Sequence, residues 1–230
     1  MATIASRLQH VRLRIERACA AAGRSADSVT LLAVSKTCPA QSVREAHAAG
    51  QTRFGENYVQ EALAKIGQLA DLRSAVEWHL IGPLQSNKTR AVAEQFDWVH
   101  SVDRLKLAER LSVQRPTRLG ELQVCLQVNI SAEASKSGLA PAEVPAVARA
   151  VSRLPGLRLR GLMAIPEPAA DFEAQRAPHR ALRELLLDLQ RDGLALDTLS
   201  MGMSIDLEAA VAEGATLVRV GTAIFGERTA

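Results

Sequence analysis

The chain switches between two hydrophobic periods along its whole length. Strand-like runs occur at 29–34 (VTLLAV), 52–55 (TRFG), 77–81 (EWHLI), 97–101 (DWVHS), 122–130 (LQVCLQVNI), 157–163 (LRLRGLM), 197–201 (DTLSM) and 216–221 (TLVRVG). Segments of helical spacing lie between them, at about 40–49, 57–72, 85–95, 103–114, 141–153, 171–191 and 205–213. In 57–72, Val59, Leu63, Ile66 and Ala70 share one stripe, while Gln60, Glu61, Lys65 and Gln68 fall off it. Asn57 and Asp103 stand where helix caps are expected. Another amphipathic helix, with Ile4, Leu8, Val11, Ile15 and Cys19 on one face and a stop at Gly23, precedes the first strand. Strand then helix, repeated eight times, is the count of a closed (β/α)8 barrel. The competing fold is an open doubly wound sheet, whose G-x-G-x-x-G turn is missing after the first strand, where the chain reads AVSKT. No Pro/Gly/Ser-rich linker divides the sequence. The expectation is α/β: a single (β/α)8 TIM barrel over 1–230 with an extra N-terminal helix.

Composition narrows the function classes. Aromatics are 3% of residues, so the core must be built from Ala, Val, Leu and Ile. No run of 18 apolar residues exists, so no transmembrane helix is expected. Arg7, Arg12, Arg14, Glu16 and Arg17 break every apolar run near the start, which argues against a signal peptide. Cys19, Cys38 and Cys125 are scattered, without a C-x-x-C pair, as in a reduced cytoplasmic protein with no metal site. Net charge is +3, but acidic residues are interspersed and no basic block or aromatic platform appears, so nucleic acid is not an expected partner.

In a barrel the site lies at the carboxyl ends of the strands. There the first strand runs straight into Lys36, a group costly to bury unpaired. Lys36 reads as a snorkelling surface lysine, as the partner of a buried carboxylate, or as an amine that forms a Schiff base. Strand 8 narrows the choice. Period 2 puts Leu217, Arg219 and Gly221 on the inner face and Val218 and Val220 against the helices. The stretches SMGMS (200–204) and VGT (220–222) fall after strands 7 and 8, the usual phosphate corner of this fold. The glycines alone equally suit tight turns. A strand-end lysine, a phosphate cradle and an interior arginine together favour pyridoxal 5'-phosphate on Lys36, with Arg219 at the pyridine nitrogen.

These residues carry a resemblance. VSKT, FGENYVQE, WHLIGPLQSNK, VNI with SKSG, GLMAIP, LSMGMS with Asp206, and VRVGTAIFG resemble the pyridoxal phosphate homeostasis proteins, in order and over nearly the whole chain. The resemblance implies a cytoplasmic, mostly monomeric protein that binds pyridoxal 5'-phosphate and controls free vitamin B6, with indirect effects on amino- and keto-acid balance. Candidate recipients are apo-enzymes that use the cofactor. The fold implied is that of the alanine racemase N-terminal domain without that enzyme's β domain. Carried across, Lys36 forms the Schiff base, Ser200, Gly221 and Thr222 bind phosphate, Arg219 faces the pyridine nitrogen, Asn57 lies beside the cofactor and Met201 lies near the phosphate corner.

Several residues have two readings. His79 suits a base over the cofactor or a hydrogen-bonded core histidine. Tyr58 suits the cofactor face or plain packing. Lys136 suits a second anion or aldehyde site or a solvated loop. Cys38 is an acidic thiol or a quiet small residue before Pro39. Gln85 to Lys88 receive an anion or a partner, or only cap a helix. A competing function is a racemase-like enzyme, which wants acid–base groups on both faces of its substrate. Lys36 serves one face, and only His79 and Tyr58 are candidates for the other. A third reading is a lyase that uses Lys36 without pyridoxal.

Overall fold

The computed structural model describes residues 2–131 and 137–226. Eight parallel strands close into a barrel in sequence order: β1 (Thr30–Val34), β2 (Arg53–Glu56), β3 (Glu77–Leu80), β4 (Trp98–Val102), β5 (Leu122–Gln127), β6 (Leu157–Met163), β7 (Thr198–Ser200) and β8 (Leu217–Val220). Around it lie α1 (Ile4–Ala21), α2 (Ala40–Ala48), α3 (Val59–Gln68), α4 (Thr89–Gln95), α5 (Leu105–Gln114), α6 (Val144–Val151), α7 (Phe172–Arg191), α8 (Leu207–Ala212) and α9 (Thr222–Phe225). The extra helix α1 packs on α2, α8 and α9. It stops because Gly23 takes φ 66° and lets the Arg24 N–H reach back to the Cys19 carbonyl at 2.8 Å. No helix is long and apolar enough to cross a membrane. Among the described residues no cluster of His, Cys, Asp and Glu is arranged to hold a metal.

Alternation sorts each strand between two environments. Leu32, Val34, Ile81 and Leu217 form a cluster inside the barrel, while Ala33, Val218 and Val220 join the larger core between sheet and helices. Gly55 makes room for the inner cluster: a Cβ there would lie 3.1 Å from Leu32 and 3.2 Å from Ile81. The rest of the interior holds Trp98, Cys125 and Met163 beside the buried polar groups of His79, His100, Ser200 and Arg219.

Element ends differ from the periodic reading. β5 stops at Gln127, and Val128 makes only an isolated bridge to Leu139. Neither expected cap caps. The N-cap of α3 is Tyr58, and Asn57 lies one residue outside it. The N-cap of α5 is Arg104, and the Asp103 carboxylate accepts from the Arg104 guanidinium at 2.6 Å. The short helix α9 had no periodic signal and comes directly after Gly221.

Candidate cofactor site

Lys36 continues the inner row of β1. Leu32 and Val34 fill the barrel, Ser35 faces α3, and the half-buried Lys36 comes next on the inside. It opens onto a cavity of about 280 Å³ at the carboxyl ends of the strands. The cavity is lined by Val34, Lys36, Asn57, Ile81, Ile165, Met203, Ser204, Ile205, Arg219, Gly221 and Thr222. Its walls are therefore mainly aliphatic, with an amine, an amide, a guanidinium and two hydroxyls placed around them. Asn57 Oδ1 is buried without a hydrogen-bond partner. Gly82 fixes the backbone of Asn57, because a Cβ at 82 would lie 2.2 Å from the Asn57 carbonyl oxygen.

Arg219 is 4% exposed. Its Nη1 donates to the Ser200 carbonyl and hydroxyl at 2.5 and 2.8 Å, and its Nη2 donates to the Ala164 carbonyl at 2.8 Å. Burial lowers its pKa to about 10, against the raising effect of Asp206, so it remains a cation near neutral pH. Behind it runs a chain of buried groups. Ser200 Oγ is 2.8 Å from His100 Nδ1, His100 Nε2 is 2.9 Å from His79 Nδ1, and His79 Nε2 is 2.8 Å from Glu77 Oε1. Arginine only donates and a carboxylate only accepts, so the directions are fixed: Arg219 to Ser200 to His100 to His79 to Glu77. Both imidazoles then carry their proton on Nε2. Burial lowers both histidines and is the main reason His100 lies well below its ordinary value, with neighbouring His79 and Arg219 adding to it, while Glu77 partly offsets the effect at His79.

The loop after β7 completes the site. Gly202 takes φ 90°, and a Cβ there would lie 2.5 Å from Ala210 Cβ. Asp206 braces the loop from below. Its Oδ1 accepts the Met203 N–H at 2.7 Å, and its Oδ2 lies 3.0 Å from His179 Nε2. Burial alone would raise the Asp206 pKa, but the His179 bond and the Met203 amide outweigh it and hold the carboxyl below its usual range.

Five of the expected residues meet here: Lys36, Asn57, Arg219, Gly221 and Thr222. Ser200 and Met201 do not line the cavity. Ser200 ends β7 inside the barrel, where its hydroxyl is committed to Arg219 and His100, and Met201 alternates outward into the core. Met203 and Ser204, just past Gly202, take their places at the mouth. Their signal in the sequence was Gly202, which ends the alternation and turns the next residues into a loop. His79 lies in the interior, away from the mouth, and Tyr58 is 57% exposed on the rim of α3. Ser86 serves its own turn, its carbonyl accepting from Thr89 and Arg110. Lys136 lies outside the described residues. His100 was missed, although it alternates with Trp98 along β4 as an inward residue should.

The sequence profile of the family described as alanine racemase, N-terminal domain, matches residues 7–229. An alanine racemase of Clostridium difficile shares the fold at 12% identity, with a TM-score of 0.72 over 96% of this chain and 57% of its own. The molecule is thus a barrel of the alanine racemase N-terminal class. The pyridoxal phosphate homeostasis protein of Pseudomonas aeruginosa is 65% identical over 228 residues, 99% of this chain and 97% of that one. PipY of Synechococcus elongatus, solved with pyridoxal phosphate bound, is 43% identical, with a TM-score of 0.86 over 97% of this chain and 100% of its own. Within its class the chain belongs to the pyridoxal phosphate homeostasis family.

Proposed function

We propose that this chain holds pyridoxal 5'-phosphate in the mouth cavity, attached through Lys36, and serves vitamin B6 homeostasis by buffering the cofactor or delivering it to apo-enzymes. The observation that carries the reading is that Lys36 and the buried Arg219 open onto the same cavity. The donor set fits the cofactor: Asn57 presents an unsatisfied buried oxygen, and Ser204, Gly221 and Thr222 gather at the end of β8 where a phosphate is expected. Bound pyridoxal phosphate supplies an aldehyde that condenses with a primary amine, with loss of water. Lys36 provides the amine, the aliphatic walls exclude water, and Arg219 faces the ring nitrogen as a pure donor. The described lining contains one primary amine and no imidazole or phenol, which supports holding over turnover.

Reduction with borohydride and subsequent peptide mass analysis test this reading. Pyridoxal should be found on the Lys36 peptide, and Lys36→Ala should abolish the label while leaving the fold intact. An unlabelled Lys36 peptide in the wild type, or sustained conversion of L-amino acids to D-isomers that depends on Lys36, would overturn it.

A further inference from the structure

Thr37, next to Lys36, is the one non-glycine residue among those described with a positive φ, at 60°. A threonine keeps that left-handed conformation only where its surroundings hold it. Three side chains from one stretch of sequence do so: Glu56 at the end of β2, and Glu61 and Lys65 on α3. The Thr37 N–H donates to Glu61 Oε1 at 2.5 Å. On the other side of Lys36, the Ser35 carbonyl accepts from Lys65 Nζ at 2.7 Å, and the Ser35 hydroxyl donates to Glu56 Oε1 at 2.6 Å. Lys65 Nζ joins the two carboxylates, at 2.7 Å from Glu56 and 3.0 Å from Glu61. Glu56 is fully buried and Lys65 is 4% exposed, so solvent screens that pair little, while Glu61 is half-buried at its edge. The residues on both sides of Lys36 are therefore bonded to one ionic unit, and Asn57, which lines the cavity, comes directly after Glu56.

A purely packing role does not account for this arrangement. Apolar groups of the same volume fill a core at least as well as a buried ion pair, and none would hold the Thr37 amide. We propose that Glu61, locked in place by Lys65 and Glu56, is the positioning residue for Lys36. It fixes the turn at 35–37 so that the amine is presented to the cavity before the cofactor arrives. This proposal rests on the reading of Lys36 as the attachment point.

The test is a time course of borohydride-trapped pyridoxal on the Lys36 peptide, started from cofactor-free protein, with thermal melts in parallel. The proteins are the wild type, Glu61→Ala, Thr37→Gly and the double variant. Glu61→Ala should label roughly ten times more slowly, because attachment then awaits a turn that is no longer held. Adding Thr37→Gly should restore the rate to within about threefold, since glycine adopts a positive φ without a clamp. Glu61→Asp keeps the charge for Lys65 but shortens the reach to Thr37. It should fold and show the same deficit, with the same rescue, and it decides the matter if the alanine variant does not fold. Equal labelling of wild type and Glu61→Asp overturns the positioning role while leaving Lys36 as the attachment point. A deficit that Thr37→Gly does not relieve marks Glu61 as a support of the fold and overturns it as well. A wild type unlabelled at Lys36 removes the functional reading, and this proposal with it.

Discussion

Asp206→Ala should separate the phosphate grip of the site from its amine. The carboxylate bonds to neither Lys36 nor Arg219; it braces the 202–206 loop through the Met203 amide at 2.7 Å and His179 at 3.0 Å. Hydrogen bonds to a charged partner contribute about 1.5–3 kcal/mol each when buried. Alanine removes both and leaves Nε2 of His179 unpaired, in a ring whose Nδ1 is already without a partner. A loss of about 3 kcal/mol in stability is expected, at the low end of that sum because the loop can relax. Asp206→Asn retains an acceptor for Met203 and should lose about half as much. Urea melts of the cofactor-free protein, monitored by the fluorescence of Trp78 and Trp98, give these values. The pH sign comes from the depressed Asp206 pKa: its contribution is present above the usual value of 3.8 and is lost as pH falls through the lower folded value. The gap between wild type and Asp206→Ala should be flat above about pH 5 and close in strong acid. In binding, pyridoxal phosphate should weaken tenfold or more, while phosphate-free pyridoxal should change less than about twofold; a factor of ten corresponds to about 1.4 kcal/mol. Equal loss for both ligands, or a gap that persists in strong acid, would refute the assignment of this loop to the phosphate.

Two further outcomes test the supports of the site. Gly82→Ala places a Cβ 2.2 Å from the Asn57 carbonyl oxygen, a backbone atom that cannot swing aside, so a loss of about 2 kcal/mol in urea melts and slower labelling of Lys36 are expected. Lys65→Met leaves Glu56 buried without its cation and should cost about 3–5 kcal/mol, most of it recovered in the double variant with Glu56→Gln. Burial already raises the Glu56 pKa against the opposing pull of Lys65. The Lys65→Met deficit should therefore be smallest below the usual glutamate value of 4.5 and grow as pH rises through the raised one.

The barrel was legible because its signal repeats. Eight apolar runs and the helical stripes between them specify strand order without any long-range knowledge, since each unit packs beside the one before it. Lys36 and Arg219 were legible for a related reason: each is a charge on the inner row of a strand, where alternation states which way it faces. The loop after a strand has no period, so the sequence does not show that Ser204, beyond Gly202, lines the cavity while Ser200 bonds to Arg219 and His100 inside the barrel. The stripe rule also put Glu61 and Lys65 off the apolar stripe of α3. Lys65 is nevertheless 4% exposed, because the turn after β1 lies across that face, and a helix-by-helix reading cannot see a neighbour brought there by the closure of the sheet. Asn57 was expected as a cap and as a cofactor neighbour at once; the extended Tyr58 backbone took the first role.

Holding a cofactor and turning it over make opposite demands on the group at the ring nitrogen. A carboxylate there stabilises a protonated ring, which withdraws electrons strongly, whereas a guanidinium can only donate and keeps the nitrogen unprotonated. In the proposed function Arg219, buried at the base of the cavity, meets the second condition. Every proton in the chain from Arg219 through Ser200, His100 and His79 points away from the mouth, toward Glu77. Ser200, His100 and His79 cannot pass a proton to the mouth without first reversing the chain. Burial also works against the charged forms of both histidines, which makes such a reversal costly. The carboxylate of Glu77, which ends the chain, is separated from Arg219 by three intervening groups. The proposed carrier role thus grows out of how the strands fill the barrel behind the mouth as well as out of the residues that line it.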